Sequence, residues 1–98
     1  ADPLAADTAK LLQVARTHSV QVHDAYLGGG YGVVGEPERE AIFALARSEG
    51  LLADPVYTGR ALVGLIDLAR QGTLHGRVLF WHTGGTPALF AYERELLG

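Results

Sequence analysis

The sequence predicts an α/β domain with three layers, in which helices cover both faces of a mostly parallel sheet. Segments with helical and with strand character alternate along the 98 residues, and this alternation is typical of parallel sheets. The apolar run Val78–Trp81 does not alternate with polar residues, as expected for a strand that is covered on both faces. We therefore expect a single domain over residues 1–98.

The first half of the chain predicts a helix, a short strand, a loop and a second helix. Pro3 suits the first turn of a helix that runs to about His18, and Val20–His23 alternates apolar and polar residues as a strand does. The glycine-rich stretch Gly28–Gly35 predicts a loop. The helix 36–49 has a proline and acidic residues in its first turn, and Gly50 is a natural stop.

The second half predicts a minimal strand, a turn, a helix, a strand and a last helix. Leu51–Ala53 is the brief apolar strand, and Asp54–Gly59 is the turn that leads into a helix over Arg60–Arg70. Arg77–His82 has the strongest strand character in the chain. After a glycine-containing turn, proline opens a final helix over Pro87–Leu97.

Composition excludes several classes of function. The net charge is −3, and the eight basic residues are scattered, so the sequence lacks the basic patch of a nucleic-acid-binding protein. It contains no cysteine, which excludes disulfides and thiolate metal sites, and its four histidines lack the spacing of a metal site. No apolar run is long enough to span a membrane. We expect a cytoplasmic protein without a metal.

Ligands of parallel sheets bind where strands run into helices, and the turn His82–Pro87 is such a place. Gly84 and Gly85 allow a ligand to approach the backbone, while Thr83 and Thr86 offer hydroxyl groups. This pattern is compatible with a contact to a phosphate or to a heteroaromatic nitrogen. It is equally compatible with a plain tight turn in which Thr86 caps the helix.

Two tyrosines stand in other conspicuous turns. Tyr57 is a candidate acid, base or stacking platform, and the alternative is a tyrosine on the rim of a turn whose helix is capped by Thr58 or Asp54. Tyr31 lies inside the glycine-rich loop 28–35, which lacks the lysine of a nucleotide-binding P-loop. The alternative for this loop is a flexible connection.

Taken together, three stretches resemble one family: Leu27–Val33, Ala46–Ala61 and Val78–Tyr92. They are similar to the C-terminal part of the D-cysteine desulfhydrase and 1-aminocyclopropane-1-carboxylate (ACC) deaminase family. These are pyridoxal-phosphate (PLP) enzymes of fold type II, which is the fold of tryptophan synthase β. The resemblance covers nearly the whole chain, and it implies that residues 1–98 are the C-terminal part of the PLP-binding large domain.

The resemblance also implies a role for each matched residue. Tyr57 and Tyr31 match active-site tyrosines, and Tyr57 approaches both the substrate and the cofactor ring. Thr83 matches the threonine that faces the ring nitrogen. Because the adjoining glycines 84–85 let a ligand approach the backbone, we expect them to contact the cofactor as well. Thr58 matches a position where the deaminase branch has glutamate, which can pair with a protonated ring nitrogen. Threonine there implies desulfhydrase-like chemistry rather than opening of a cyclopropane ring.

Two parts of the family's machinery do not occur in this sequence. The Schiff-base lysine and the phosphate-binding loop lie upstream in family members, and Lys10 is outside every matched motif. We therefore expect a partial domain that is inactive alone and associates with a missing N-terminal segment or with itself. The complete protein is expected to be a homo-oligomer that converts a small amino acid such as D-cysteine to pyruvate, ammonia and sulfide. The alternative is a stand-alone, non-catalytic module or a complementing subunit.

Overall fold

A computed structural model describes residues 20–98 of the chain, so the helix predicted over residues 3–18 lies outside the described range. The described part contains three α-helices and one 3₁₀ helix. In chain order they are α1 (Glu36–Glu49), α2 (Thr58–Arg70), the 3₁₀ helix (Thr86–Tyr92) and α3 (Glu93–Leu97).

The predicted three-layer α/β fold with a mostly parallel sheet is wrong for the described residues, which are helical and contain no strand. The segments Val20–His23, Leu51–Ala53 and Arg77–His82 are irregular, and no backbone hydrogen bond joins them. A strand is defined by its bonds to a neighbouring strand, whereas an apolar run reports only a tendency to be covered. In residues 77–82 that tendency is unmet, because Leu79 is 82% exposed and Trp81 is 77% exposed.

Helix α1 begins and ends where the sequence predicts. At its start the Glu38 carboxylate turns back and accepts a hydrogen bond from the Gly35 amide at 3.1 Å. Pro37 occupies the first turn, where its missing amide proton costs nothing. At its end Gly50 adopts a left-handed conformation with φ of 66°, and its amide donates to the carbonyl of Ala46.

Helix α2 begins two residues earlier than predicted and packs against α1. The sequence places Gly64 within this helix, which predicts a close approach by a neighbouring group. The structure confirms it, since a side chain at Gly64 would start 3.2 Å from the ring of Tyr26. The Tyr26 hydroxyl in turn donates to the Asp67 carboxylate at 2.6 Å, which holds the segment before the glycine-rich loop on α2.

The C-terminal segment is divided, whereas the sequence predicts one helix over Pro87–Leu97. The 3₁₀ helix takes up most of that range, and only the short α3 is α-helical. The Arg39 side chain in α1 donates to the Leu96 carbonyl at 2.9 Å, which ties the last helix to the first. The core lies between these elements and consists of Ile42, Ala53 and Leu96, packed against Val34, Leu45, Leu89 and Tyr92.

Across residues 20–98, no helix has both the length and the apolar character that crossing a membrane requires.

Candidate functional site

The structure brings together two tyrosines that the sequence singles out. The hydroxyl oxygens of Tyr31 and Tyr57 are hydrogen-bonded at 2.7 Å, and their rings meet edge to face with centroids 6.0 Å apart. Tyr31 is 79% exposed and Tyr57 is 59% exposed, so both rings remain accessible to a ligand. They face a groove of about 470 Å³ that is also lined by Tyr26, Leu27 and Arg60.

The hydrogen bond between the two hydroxyls affects their protonation. It raises the pKa of Tyr57 above its ordinary value, and the Tyr31 charge, partial desolvation and the Asp54 charge act in the same direction. Tyr57 is therefore protonated at neutral pH. Only one proton lies in the bond between the two oxygens, so the other hydroxyl proton is available to a third group. This arrangement can donate a hydrogen bond or a proton to a bound molecule.

The backbone that carries Tyr57 is held by a buried carboxylate. Asp54 is fully buried, and its Oδ2 accepts hydrogen bonds from the amides of Val56 and Tyr57 at 2.9 and 2.8 Å. Its Oδ1 accepts from the amide and the hydroxyl of Thr58 at 2.9 and 2.6 Å. Asp54 thus binds the free amides at the start of α2, as a capping residue does, and fixes the turn that presents Tyr57.

Opposing effects set the protonation state of Asp54. Burial raises its pKa, but the hydrogen bonds from Thr58, Tyr57 and Val56 favour the charged form and outweigh burial. The net effect lowers the pKa below the ordinary value, so the carboxylate is ionised at neutral pH. Its negative charge lies at the start of α2, where the helix dipole is favourable for an anion.

The Thr58 side chain belongs to this cap. It is 2% exposed, its hydroxyl donates to Asp54 Oδ1, and its oxygen accepts a hydrogen bond from the Asp54 amide at 2.8 Å. A hydroxyl group has a single proton to donate. The donor of Thr58 is therefore already used within the chain, and Thr58 has none to offer a cofactor ring in this conformation.

The predicted glycine turn packs against the same carboxylate. Gly85 adopts φ of 93°, and a side chain on it would start 2.6 Å from Asp54 Oδ1. Gly84 also has a positive φ, of 104°, but faces open space. Asp54 is thus the common neighbour of two turns, because it accepts from the Tyr57 amide and contacts Gly85. Thr83, at the start of the second turn, is exposed.

His82 connects the glycine turn to the segment before Asp54. Its Nε2 lies 2.7 Å from the Leu52 carbonyl oxygen, and the Gly84 amide donates to its Nδ1 at 3.1 Å. Because a carbonyl oxygen only accepts and an amide only donates, Nε2 carries the proton and Nδ1 is bare. In the residues described, no group of His, Asp or Glu side chains is arranged to hold a metal ion.

Sequence reasoning missed an ion pair beneath the glycine-rich loop. Glu38 is 3% exposed, and its Oε1 lies 3.5 Å from Arg60 Nε. The guanidinium Nη2 of Arg60 donates to the carbonyls of Gly30 and Val33, the latter at 2.6 Å. The acidic first turn of α1 was explained by the helix dipole alone, and nothing local in the sequence pairs Glu38 with a residue of α2.

No protein-family model matches the chain, but solved structures are similar to it. The crystal structure of an ACC deaminase homologue is 40% identical in sequence, with a TM-score of 0.74. The match covers 98% of this chain and 29% of the homologue, so the chain spans less than a third of that protein's length. Over nearly its whole length the chain is therefore similar to part of an ACC deaminase homologue.

Proposed function

We propose that the protein carrying these residues is a PLP-dependent lyase or deaminase that acts on a small amino acid. The observation that carries the proposal is the hydrogen-bonded pair of Tyr31 and Tyr57 on an open groove. The similarity to an ACC deaminase homologue supports it. Because the chain covers a minor part of that homologue, we assign the activity to the complete protein and not to these residues alone.

The described residues fit one side of a bound PLP. The open space at Gly84, with its positive φ, allows a flat ring to approach the backbone, and the exposed Thr83 can donate to a ring nitrogen. Residues 20–98 contain no lysine, so we propose that the Schiff-base lysine and the phosphate contacts come from another part of the protein. When bound, PLP withdraws electrons from the α-carbon of the amino acid.

The residues of this chain hold and move protons beside that group. Because Tyr57 is protonated at neutral pH, the tyrosine pair has one hydroxyl proton outside its shared bond, and this proton is donated to the substrate, either to orient it or to assist proton transfer. Tyr31 holds the Tyr57 oxygen in place through their shared hydrogen bond. Asp54 fixes the backbone of Tyr57 and contacts the turn that follows Thr83. It therefore holds the two turns at a fixed distance from each other.

We propose D-cysteine desulfhydrase-like β-elimination as the reaction. In this reaction D-cysteine and water give pyruvate, ammonia and hydrogen sulfide. Thr58 stands where the deaminase branch has glutamate, and it places a neutral group with no free donor at that position. A ring nitrogen without a carboxylate partner is a weaker electron sink, which suits departure of a thiol better than opening of a carbon ring.

The test uses the polypeptide that carries these residues, purified from its source with PLP. It is incubated with D-cysteine, L-cysteine and ACC, and sulfide and keto acids are measured. We expect sulfide and pyruvate from D-cysteine, whereas 2-oxobutanoate from ACC would indicate deaminase activity instead. Tyr57→Phe should reduce the rate by about 10²- to 10⁴-fold, and Tyr92→Phe, outside the pair, should not.

No keto acid from any of the three substrates, with PLP present, would refute the enzymatic proposal. That result would favour the alternative of a non-catalytic module that associates with another chain. That alternative is favoured by the exposed side chains of Leu79, Trp81 and Phe90, because exposed apolar side chains are typical of surfaces that bind another chain.

A further inference from the structure

We propose that Arg60 and Glu38 are positioning residues that hold the glycine-rich loop so that the Tyr31 hydroxyl meets Tyr57. The use of the tyrosine pair in a reaction rests on the proposed function. The geometry of the pair does not, and the experiment below reads that geometry in the protein without cofactor.

Arg60 acts on the middle of the loop. Its guanidinium donates to the carbonyls of Gly30 and Val33, which stand on either side of Tyr31 in the chain. Tyr31 is 79% exposed, so packing of its own ring does little to hold it. Arg60 lies on the first turns of α2, close behind Tyr57 in sequence, so a single rigid helix start carries both Tyr57 and the group that fixes the Tyr31 backbone.

Glu38 acts on the two ends of the loop. Its Oε2 accepts from the Gly35 amide at 3.1 Å, while a side chain at Gly28 would start only 2.5 Å from its Oε1. The same Oε1 lies 3.5 Å from Arg60 Nε. A buried carboxylate requires a partner, and the pairing orients the guanidinium toward the loop carbonyls. The loop, rich in glycine, has few side chains that could hold it otherwise.

The experiment follows Tyr31 and Tyr57 by NMR in the polypeptide that carries these residues, with ¹³C in the ring carbon that bears the hydroxyl. Arg60→Gln should break the pair, so the midpoint of the Tyr57 titration falls toward the ordinary value. Mere loss of a nearby positive charge would raise that midpoint, so the direction of the shift separates the two effects. Arg70→Gln, an exposed arginine of the same helix, is the matched control and should leave Tyr57 unchanged.

A double-mutant cycle with Tyr31→Phe completes the test. In the Tyr31→Phe background the pair is already absent, so Arg60→Gln should no longer lower the Tyr57 midpoint. Circular dichroism at 222 nm checks that each variant is folded. If Arg60→Gln unfolds, the combined Glu38→Gln and Arg60→Gln variant, which leaves no lone buried charge, replaces it. An unchanged or raised midpoint in a folded variant, or an equal fall with and without Tyr31, would overturn the proposal.

Discussion

The hydroxyl oxygens of Tyr31 and Tyr57 lie 2.7 Å apart although 26 positions separate the residues in the chain. Three contacts accompany this hydrogen bond. Asp54 accepts from the Tyr57 amide, Arg60 donates to a carbonyl of the glycine-rich loop that carries Tyr31, and the two tyrosine rings meet edge to face. The first contact is local in sequence, whereas the other two join residues that are distant in the chain, so the pair reports on how the glycine-rich loop packs against the start of α2.

The pair should stabilise the fold only while it is protonated. Because the folded-state pKa of Tyr57 is raised by its bond to Tyr31, the stabilisation is complete below the unfolded value near 10 and is lost as pH rises through the folded value. Urea unfolding of the native chain and of Tyr31→Phe should therefore differ at pH 8 and converge at strongly alkaline pH. A difference that stays constant across that range would contradict the assignment.

The buried carboxylate of Asp54 should stabilise the fold at neutral pH and cease to do so in acid. Its pKa is lowered in the folded state, so its stabilisation is present above the ordinary value of 3.8 and disappears as pH falls through the folded value. Asp54→Asn should cost about 1–3 kcal/mol at pH 7, because its amide group faces backbone donors. The difference in unfolding free energy between the native chain and Asp54→Asn should shrink in acid. Asp24→Asn, at an exposed position, should have little effect in urea unfolding at either pH.

The hydroxyl of Thr58 should stabilise the fold through its hydrogen bond to the Asp54 carboxylate. Thr58→Val preserves the shape of the side chain but removes the donor at 2.6 Å from the carboxylate. We expect a loss of about 1–3 kcal/mol in the free energy of unfolding, since a buried acceptor loses its partner. Thr58→Ser keeps the hydroxyl and should lose less. Equal losses for the two variants would mean that the methyl group, and not the hydrogen bond, is what stabilises this turn.

The adjacent glycines 84 and 85 offer a matched pair of substitutions. Both have a positive φ, so alanine at either position costs about 1–3 kcal/mol in backbone strain. Gly85→Ala should cost more than Gly84→Ala, because only at Gly85 would the new side chain start 2.6 Å from Asp54 Oδ1. Urea unfolding of the two variants side by side measures the difference. Equal stabilities would show that the glycine turn does not press on Asp54.

The ring of His82 should be found as the tautomer with its proton on Nε2. The Leu52 carbonyl and the Gly84 amide impose this tautomer from opposite sides of the ring. Long-range ¹H–¹⁵N correlation of the neutral side chain distinguishes the two nitrogens directly. His82→Ala should also speed hydrogen exchange of the Gly84 amide, which loses its acceptor. A proton on Nδ1 would contradict the geometry.

Local features made much of the fold predictable. Helix α1 was predicted from proline and acids in its first turn and glycine at its end, and these signals act within one helical turn. The loop between residues 28 and 35 and the cap at the start of α2 also follow from local chemistry. The sheet was predicted wrongly, because a strand needs a partner segment, and an apolar run such as Val78–Trp81 does not specify one.

The groups that could do chemistry are evident from the sequence alone: two tyrosines and a glycine turn, each in a segment whose own residues disfavour regular structure. The folded chain alone shows that the tyrosines touch, that Asp54 lies beneath both turns, and that Glu38 and Arg60 form a buried pair under the loop. The reason is physical. Turn and helix signals arise from neighbours along the chain, whereas burial and ion pairing depend on residues that the folded backbone brings together from distant positions.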